Sequence, residues 1–226
     1  MYNIIKRLFD ILSSLVAIII LLPVFIPICI GLKLTGEGEV FYFQKRIGYK
    51  NRNFFIWKFA TMLKNSPNMG TGSITLRNDP RVTPLGKFLR ITKINELPQL
   101  MNVLLGDMSV VGPRPLVQRT FDAYPEHIRA IVYNSKPGIT GIGSIIFRDE
   151  EKLISQSNME PFEFYDKVIG PYKGALEEWY QQNKTLMTDF KIIFLTIWVI
   201  VFPESDLPYK MFRTLPARPA TLQLQA

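Results

Sequence analysis

The sequence predicts a mostly helical α+β protein attached to a membrane through an apolar N-terminal helix. Three observations lead there. The chain is almost wholly apolar from Leu8 to Leu32, two short alternating segments flank a polar loop near residue 50, and helix-period stretches fill most of the remaining chain. At 226 residues there is room for one domain with a sizeable core plus a membrane attachment.

The apolar run comes first. It is interrupted only by Asp10, Ser13, Ser14, Pro23 and Pro27, and it reaches the roughly 20 residues needed to cross a bilayer. Lys6 and Arg7 before it resemble the start of a signal peptide, but no small-residue cleavage site follows and the run is longer than a usual signal core. Pro23 and Pro27 each remove a backbone donor, which predicts a kink. Basic residues flank both ends: Lys6 and Arg7 before, Lys33, Lys45, Arg46, Lys50 and Arg52 after. That symmetry gives no vote for opposite sides of a membrane. A helix that enters and leaves one leaflet explains both facts, yet proline kinks also occur in true spans. Asp10 is expected to pair with Arg7 or Lys6 at headgroup depth.

Val40–Phe43 and Phe54–Trp57 then read as a hairpin, and Asn65–Ser73 as a turn-rich loop. A helix is expected from about Asn95 to Leu104, capped by Asn95 or Thr92 and stopped by Gly106. Further helices are expected near 116–134, 148–156, 160–182 and 185–202. The last contains the apolar run Phe190–Phe202, too short to span and suited to lying at the interface. The tail after Pro203 reads as loosely ordered. These boundaries divide the chain into 1–34, a membrane helix; 35–202, a domain with interfacial helices; and 203–226, a C-terminal tail.

Charge and composition narrow the function. The net charge is +8, and residues 1–119 alone hold 16 Lys/Arg against 6 Asp/Glu. Beside a long apolar segment, that surplus suits anionic lipid and phosphate rather than nucleic acid. Cys29 is the single cysteine and His127 the single histidine, so the sequence offers neither a disulfide, nor a Cys/His zinc site, nor a Ser-His-Asp triad. His127 reads as a surface helix residue.

Four polar groups carry the chemistry. The first, Arg77-Asn78-Asp79-Pro80-Arg81, is at minimum a turn. In the second, Phe88 to Leu100, polar groups that include Arg90, Asn95 and Glu96 cluster where free helix N–H groups favour an anion. The third, Gly106 to Pro115, locks Arg114 between two prolines, a stiff mount for a phosphate clamp. The fourth, Lys136 to Ser144, is a glycine-rich loop followed by Asp149-Glu150-Glu151, which reads more simply as a helix start than as a metal site. Each has a structural reading of its own; order and spacing carry the specificity.

In that order the motifs resemble the bacterial sugar transferases that act as monotopic phosphoglycosyl transferases. The match runs through Lys6-Arg7-Leu8-Phe9-Asp10, Pro23, Gln44–Gly48, Trp57–Met62, Asp79-Pro80-Arg81, Asn95–Leu100, Gly106–Ser109, Val111–Pro115 and Lys136–Gly141. The resemblance implies a re-entrant membrane helix, a compact cytoplasmic catalytic domain and amphipathic helices on the membrane. It also implies a UDP-sugar donor, Mg2+ and a polyprenyl (undecaprenyl) phosphate acceptor at the inner membrane, with membrane lipids as surroundings and a homodimer compatible with it. By motif position Glu96 would hold magnesium, Arg90, Arg114 and Asp79 would belong to the diphosphate site, and Lys6, Arg7 and Pro23 would anchor the membrane segment. Asp107 fits a turn or cap equally well.

Two positions depart from the family pattern. Its nucleophile is an aspartate, where this chain has Asn95, and its Lys-Phe-Arg-Thr-Met run carries Ala60 in place of the arginine. An amide oxygen is a poor nucleophile. Three accounts compete: a knock-out, a pseudoenzyme or scaffold, or a natural variant in which Glu96 attacks or the lipid phosphate attacks directly. A receptor or transporter is disfavoured, because one apolar segment cannot line a transport path.

Overall fold

The computed structural model describes residues 1–69, 79–219 and Leu222. Arg77, Asn78 and the Asn65–Ser73 loop from residue 70 onward lie outside the described residues. Helix α1, Tyr2–Leu34, runs through both Pro23 and Pro27 as one element. Most of its apolar side chains are exposed, while Lys6, Asp10 and Ser14, spaced four residues apart, are buried. Four-residue spacing puts them on one face of a helix, and that face lies against the rest of the protein. Among the described residues α1 is the one helix long and apolar enough to cross a membrane.

The expected hairpin forms. Strands β1, Phe41–Ile47, and β2, Asn53–Phe59, pair antiparallel, with Phe41 opposite Phe59 and Ile47 opposite Asn53. Lys50 and Asn51 turn the corner with φ of 54° and 56°, and the Lys50 N–H donates to the Tyr133 carbonyl at 2.8 Å. Helix α3, Gln99–Leu105, docks behind β2, where the Asn102 amide accepts from Trp57 N–H (2.9 Å) and donates to Phe55 O (2.8 Å).

The expected helix from Asn95 is instead a 3₁₀ turn, Ile94–Glu96, followed by α3. The break has a cause: Lys93 is left-handed (φ 60°), and Pro98 enters α3 at its N-cap. Gly106 stops α3 as expected, at φ 98°, a conformation glycine adopts without strain. Upstream lies α2, Pro84–Ile91, which starts at Thr83 as its hydroxyl accepts from Gly86 N–H.

Strands β3, Ser109–Val111, and β4, Gly138–Thr140, form a small parallel pair. Between them lie α4, Gln118–Asp122, and α5, Glu126–Ile131, two short helices where one was expected. Pro125 divides them, having no N–H to continue a helix. Helices α6, Ile142–Ile146, α7, Glu150–Gln156, and α8, Pro161–Phe164, come after β4. A π turn, Tyr165–Ile169, joins α8 to α9, Gly170–Asn183, and α10, Leu186–Val201, comes next. The main core lies between α6, α9 and α10, where Ile142, Leu176, Ile192 and Leu195 are fully buried.

The described part of the segment after Pro203, up to Pro219, carries more structure than its composition suggested. Helix α11, Leu207–Met211, leads to Phe212, whose ring meets Trp179 edge-on at 4.9 Å, and Tyr172 bonds to both Tyr209 and Pro216 O. Aromatic anchors, not regular periodicity, fix it there.

Candidate active site

The site is built where the hairpin, the Ile94–Glu96 turn and the loop after β3 converge. On β2, residues 54, 56 and 58 share a face, so Lys58 points the same way as the fully buried Ile56. Its ammonium donates to Glu96 Oε1 at 2.9 Å, and the Arg114 guanidinium donates to the same oxygen at 3.0 Å. Arg46, on the same face of β1, is held by Gln44 Oε1 (2.5 Å to Nη2) and by Pro115 O (3.1 Å).

Three cations therefore surround one carboxylate. Burial alone would raise the Glu96 carboxyl, but Arg114 and Lys58 prevail and hold it well below the usual range. The cations show the complementary strain. Burial pushes Lys58 down to about 8 against the pull of Glu96, and burial together with Arg114 pushes Arg46 down to about 10. Arg114, with Glu96 facing it, is raised. Such an arrangement leaves a net positive, partly enclosed site, suited to a phosphorylated ligand.

Asn95 is buried beside Glu96, and its Oδ1 has no hydrogen-bond partner among the described residues. An orphaned buried acceptor costs about 1–3 kcal/mol unless something else satisfies it. Both hydrogen bonds to Glu96 from the described residues use Oε1 and none uses Oε2. One carboxylate oxygen and one buried amide oxygen at adjacent positions are thus without a hydrogen-bond partner among the described residues. Magnesium is commonly held by one or two protein oxygens together with substrate phosphates, so these residues fit it only as an ion shared with a diphosphate. Among the described residues no group of three potential metal-ligating side chains exists.

The other expected site residues are placed differently. Arg90, in the last turn of α2, meets Glu151 at 2.6 Å across the surface, not Glu96. An exposed pair of that kind contributes about 0–1 kcal/mol and exchanges readily for another anion. Asp79 is committed to Arg81 in a buried two-point contact (2.8 and 2.5 Å), and Arg81 in turn holds Ser66 O and Met69 O. Lys6 and Arg7 turn inward. Lys6 donates to Asp189 Oδ2 at 2.7 Å, joined there by Tyr2 and Tyr180, while Arg7 caps α3 through Val103 O and Leu104 O. Asp10 pairs with neither: it accepts from Ser109 Oγ (3.0 Å) and Val110 N–H (2.9 Å). An unpaired carboxylate on a lipid-facing helix is costly, and two donors from β3 satisfy it better than a headgroup would.

The glycine-rich loop serves packing. A Cβ on Gly112 would lie 2.3 Å from Lys136 O, and one on Gly138 would lie 2.1 Å from Gly112 N, so these backbones touch directly. His127 is on the surface. Sequence reasoning missed Lys58 and Arg46 as members of the cluster. The signal was there: a cation on the inward face of a strand whose neighbours are apolar needs an anionic partner.

The bacterial sugar transferase family pattern matches residues 1–203. The chain belongs to that family. It is 33% identical over 207 residues to "Exopolysaccharide production protein ExoY" of Rhizobium meliloti (strain 1021), covering 85% of this chain and 83% of that one. It is 34% identical to "Undecaprenyl-phosphate glucose phosphotransferase" of Komagataeibacter xylinus and 36% identical to "UDP-N-acetylgalactosamine-undecaprenyl-phosphate N-acetylgalactosaminephosphotransferase" of Aeromonas hydrophila. In those two the match covers 88% of this chain but only 36% and 44% of the relative. The chain therefore spans less than half the length of these two relatives.

Proposed function

We propose that this chain transfers a sugar-1-phosphate from a UDP-sugar to polyprenyl (undecaprenyl) phosphate, giving a polyprenyl-diphosphate-sugar and UMP. The observation that carries this reading is the cluster of Arg46, Lys58 and Arg114 around a single carboxylate, next to the open oxygens of Asn95 and Glu96. Two diphosphate charges would balance the surplus. When bound, magnesium would neutralise charge on the transferring phosphoryl group, and Glu96 Oε2 with Asn95 Oδ1 would hold it.

Asn95 favours direct attack. Glu96, drawn by two cations and strongly acidic, is a weak nucleophile. An oxygen of the lipid phosphate then forms the new P–O bond to the sugar-bearing phosphorus, while the bond to the UMP oxygen breaks. Arg114 and Lys58 hold the non-bridging oxygens, and the Asn95 amide N–H donates to one of them.

Membrane placement rests on α1 and α10. The Asp10 end of α1 is fastened to β3, while Leu32 packs with Phe59 and Leu89. A straight helix would separate those residues by about 33 Å at ~1.5 Å per residue, roughly a whole bilayer core. Both ends meet the same domain, which supports entry and return through one leaflet, on the cytoplasmic side favoured by the basic flanks. On α10, Ile192, Leu195 and Val199 are buried, while Phe190, Phe194, Ile197 and Val201 are exposed, an apolar outer face suited to lipid.

The test is UMP release from a panel of UDP-sugars by the protein in lipid nanodiscs, with and without undecaprenyl phosphate and Mg2+. Lipid- and Mg2+-dependent UMP supports the reading. Silence, with activity appearing in Asn95→Asp, means a chain disabled at its nucleophile. Silence in both favours a scaffold that binds without turnover.

A further inference from the structure

Arg114 is mounted on a turn with very few handles. In Pro113-Arg114-Pro115 both prolines lack an N–H, so the Arg114 amide is the only backbone donor the tripeptide has. Its three carbonyls are all engaged: Gly138 N–H donates to Pro113 O at 2.9 Å, Tyr133 OH to Arg114 O at 2.8 Å, and Arg46 to Pro115 O at 3.1 Å. The single amide points to Glu177 on α9, whose Oε1 lies 3.5 Å away.

Glu177 is 1% exposed, and its Oε2 has no hydrogen-bond partner among the described residues. The neighbouring glycine admits it, since a Cβ on Gly143 would sit 2.4 Å from Glu177 Oε1. Lys173, one turn earlier on α9, attracts it, but its ammonium is engaged by Glu150 from α7. Tyr124 and Tyr133 complete the surrounding titratable groups, and burial raises both far above the neutral range. Nothing on the fold's surface explains a carboxylate kept in this place with half its hydrogen-bonding capacity unused.

We propose that Glu177 is the positioning residue for Arg114: it holds the only N–H of the Pro113-Arg114-Pro115 turn and so fixes where that guanidinium meets a phosphate at the Glu96 site. The role rests on the reading of the Arg114 cluster as a phosphate site, though the hold on the turn does not. Burial pushes the Glu177 carboxyl up to about 7, against weaker pulls from the Arg114 amide, Lys173 and the Arg114 guanidinium. Ionised, it makes a charge-assisted bond to the amide; protonated, it makes an ordinary one. Phosphate binding at Arg114 is therefore tighter above neutral pH than below it.

Two measurements on the full chain in nanodiscs decide this. The first is hydrogen exchange of the 112–116 segment, which has only the Gly112, Arg114 and Leu116 amides to report. Glu177→Ala should lose protection at Arg114 while the β1–β2 amides stay protected, and Glu177→Gln should keep part of it. Unchanged protection at Arg114 in Glu177→Ala overturns the assignment. The second is UDP-glucose affinity between pH 6 and 7.5, a range in which the probe's diphosphate diester does not titrate. Wild type should weaken roughly threefold at the acid end, the part of a roughly fivefold difference between charge-assisted and neutral bonds that a carboxyl titrating near 7 shows across this window. Glu177→Gln should be flat, and a wild-type pH step surviving in that variant overturns the coupling. If wild type fails to bind UDP-glucose at all, the donor reading suffers, and the exchange arm still decides the positioning role.

Discussion

Replacing Glu96 by glutamine keeps the shape of the side chain and removes the carboxylate that Lys58 and Arg114 share. Lys58 makes the magnitude accessible, since its displacement from 10.5 to about 8 with Glu96 present already corresponds to roughly 3 kcal/mol of disfavoured charge. Breaking a buried pair by removing one partner typically costs about 3–5 kcal/mol. For a chain of this size that is a fall of roughly 6–20 °C in Tm. The pH dependence carries a sign. The Lys58 value in the folded state lies below its unfolded value, so the folded protein holds fewer protons between about 8 and 10.5 and gains stability as pH rises through that window. Without Glu96 the lower edge of the window moves down. Glu96→Gln should therefore be least stable relative to wild type at pH 6 and recover part of the deficit at pH 9. Thermal unfolding of both proteins in nanodiscs at pH 6, 7.5 and 9 is the assay. An unchanged Tm at pH 6, or a deficit that does not narrow by pH 9, would refute the electrostatic account of the cluster. A loss of activity in this variant would then need separating from its loss of stability before any metal role is assigned.

Other perturbations have equally direct expectations. Lys6→Met leaves Asp189 buried with only tyrosine hydroxyls, so Tm should fall by an amount matching about 3–5 kcal/mol, and adding Asp189→Asn should restore part of it. Glu177→Gln should stabilise the protein at pH 8 by up to roughly 3 kcal/mol and by almost nothing at pH 4.5. The folded-state carboxyl takes up protons between 4.5 and about 7, and its stability contribution declines as pH rises through that window. Gly86→Ala would put a Cβ 2.1 Å from the Thr61 carbonyl oxygen, so α2 must shift from the segment that follows β2; a loss of about 1–3 kcal/mol should show as faster limited proteolysis. Equal digestion rates would mean the backbone yields without cost.

The sequence made the hairpin legible because alternation is a local property: Phe54, Ile56 and Lys58 must share a face wherever the strand goes. The stop at Gly106 was legible for the same reason. The pair β3–β4 was not, since three residues carry no readable period and their partner lies almost thirty positions away. The start of α2 carried an unread signal, Thr83-Pro84 followed by Gly86, which combines an N-cap with a proline in the first turn. For the site, the neighbourhood of Asn95, Glu96 and Arg114 followed from motif order, whereas the inward turn of Lys6 and Arg7 depended on Asp189 and on the carbonyls ending α3. Glu177 stayed invisible because nothing next to it in sequence hints at the Arg114 amide 63 positions earlier.

The stripe of Lys6, Asp10 and Ser14 has a consequence in time. Asp10 finds Ser109 across 99 positions of chain, and Lys6 finds Asp189 across 183. At about 5–20 residues per second, the ribosome needs roughly ten to forty seconds to supply that second partner. Throughout that interval α1 is already made, and its Asp10 has the Lys6 and Arg7 cations one turn away to neutralise it. Helix α1 is thus among the last elements to reach its final contacts, and a lipid-seeking helix must wait until α10 emerges to receive it.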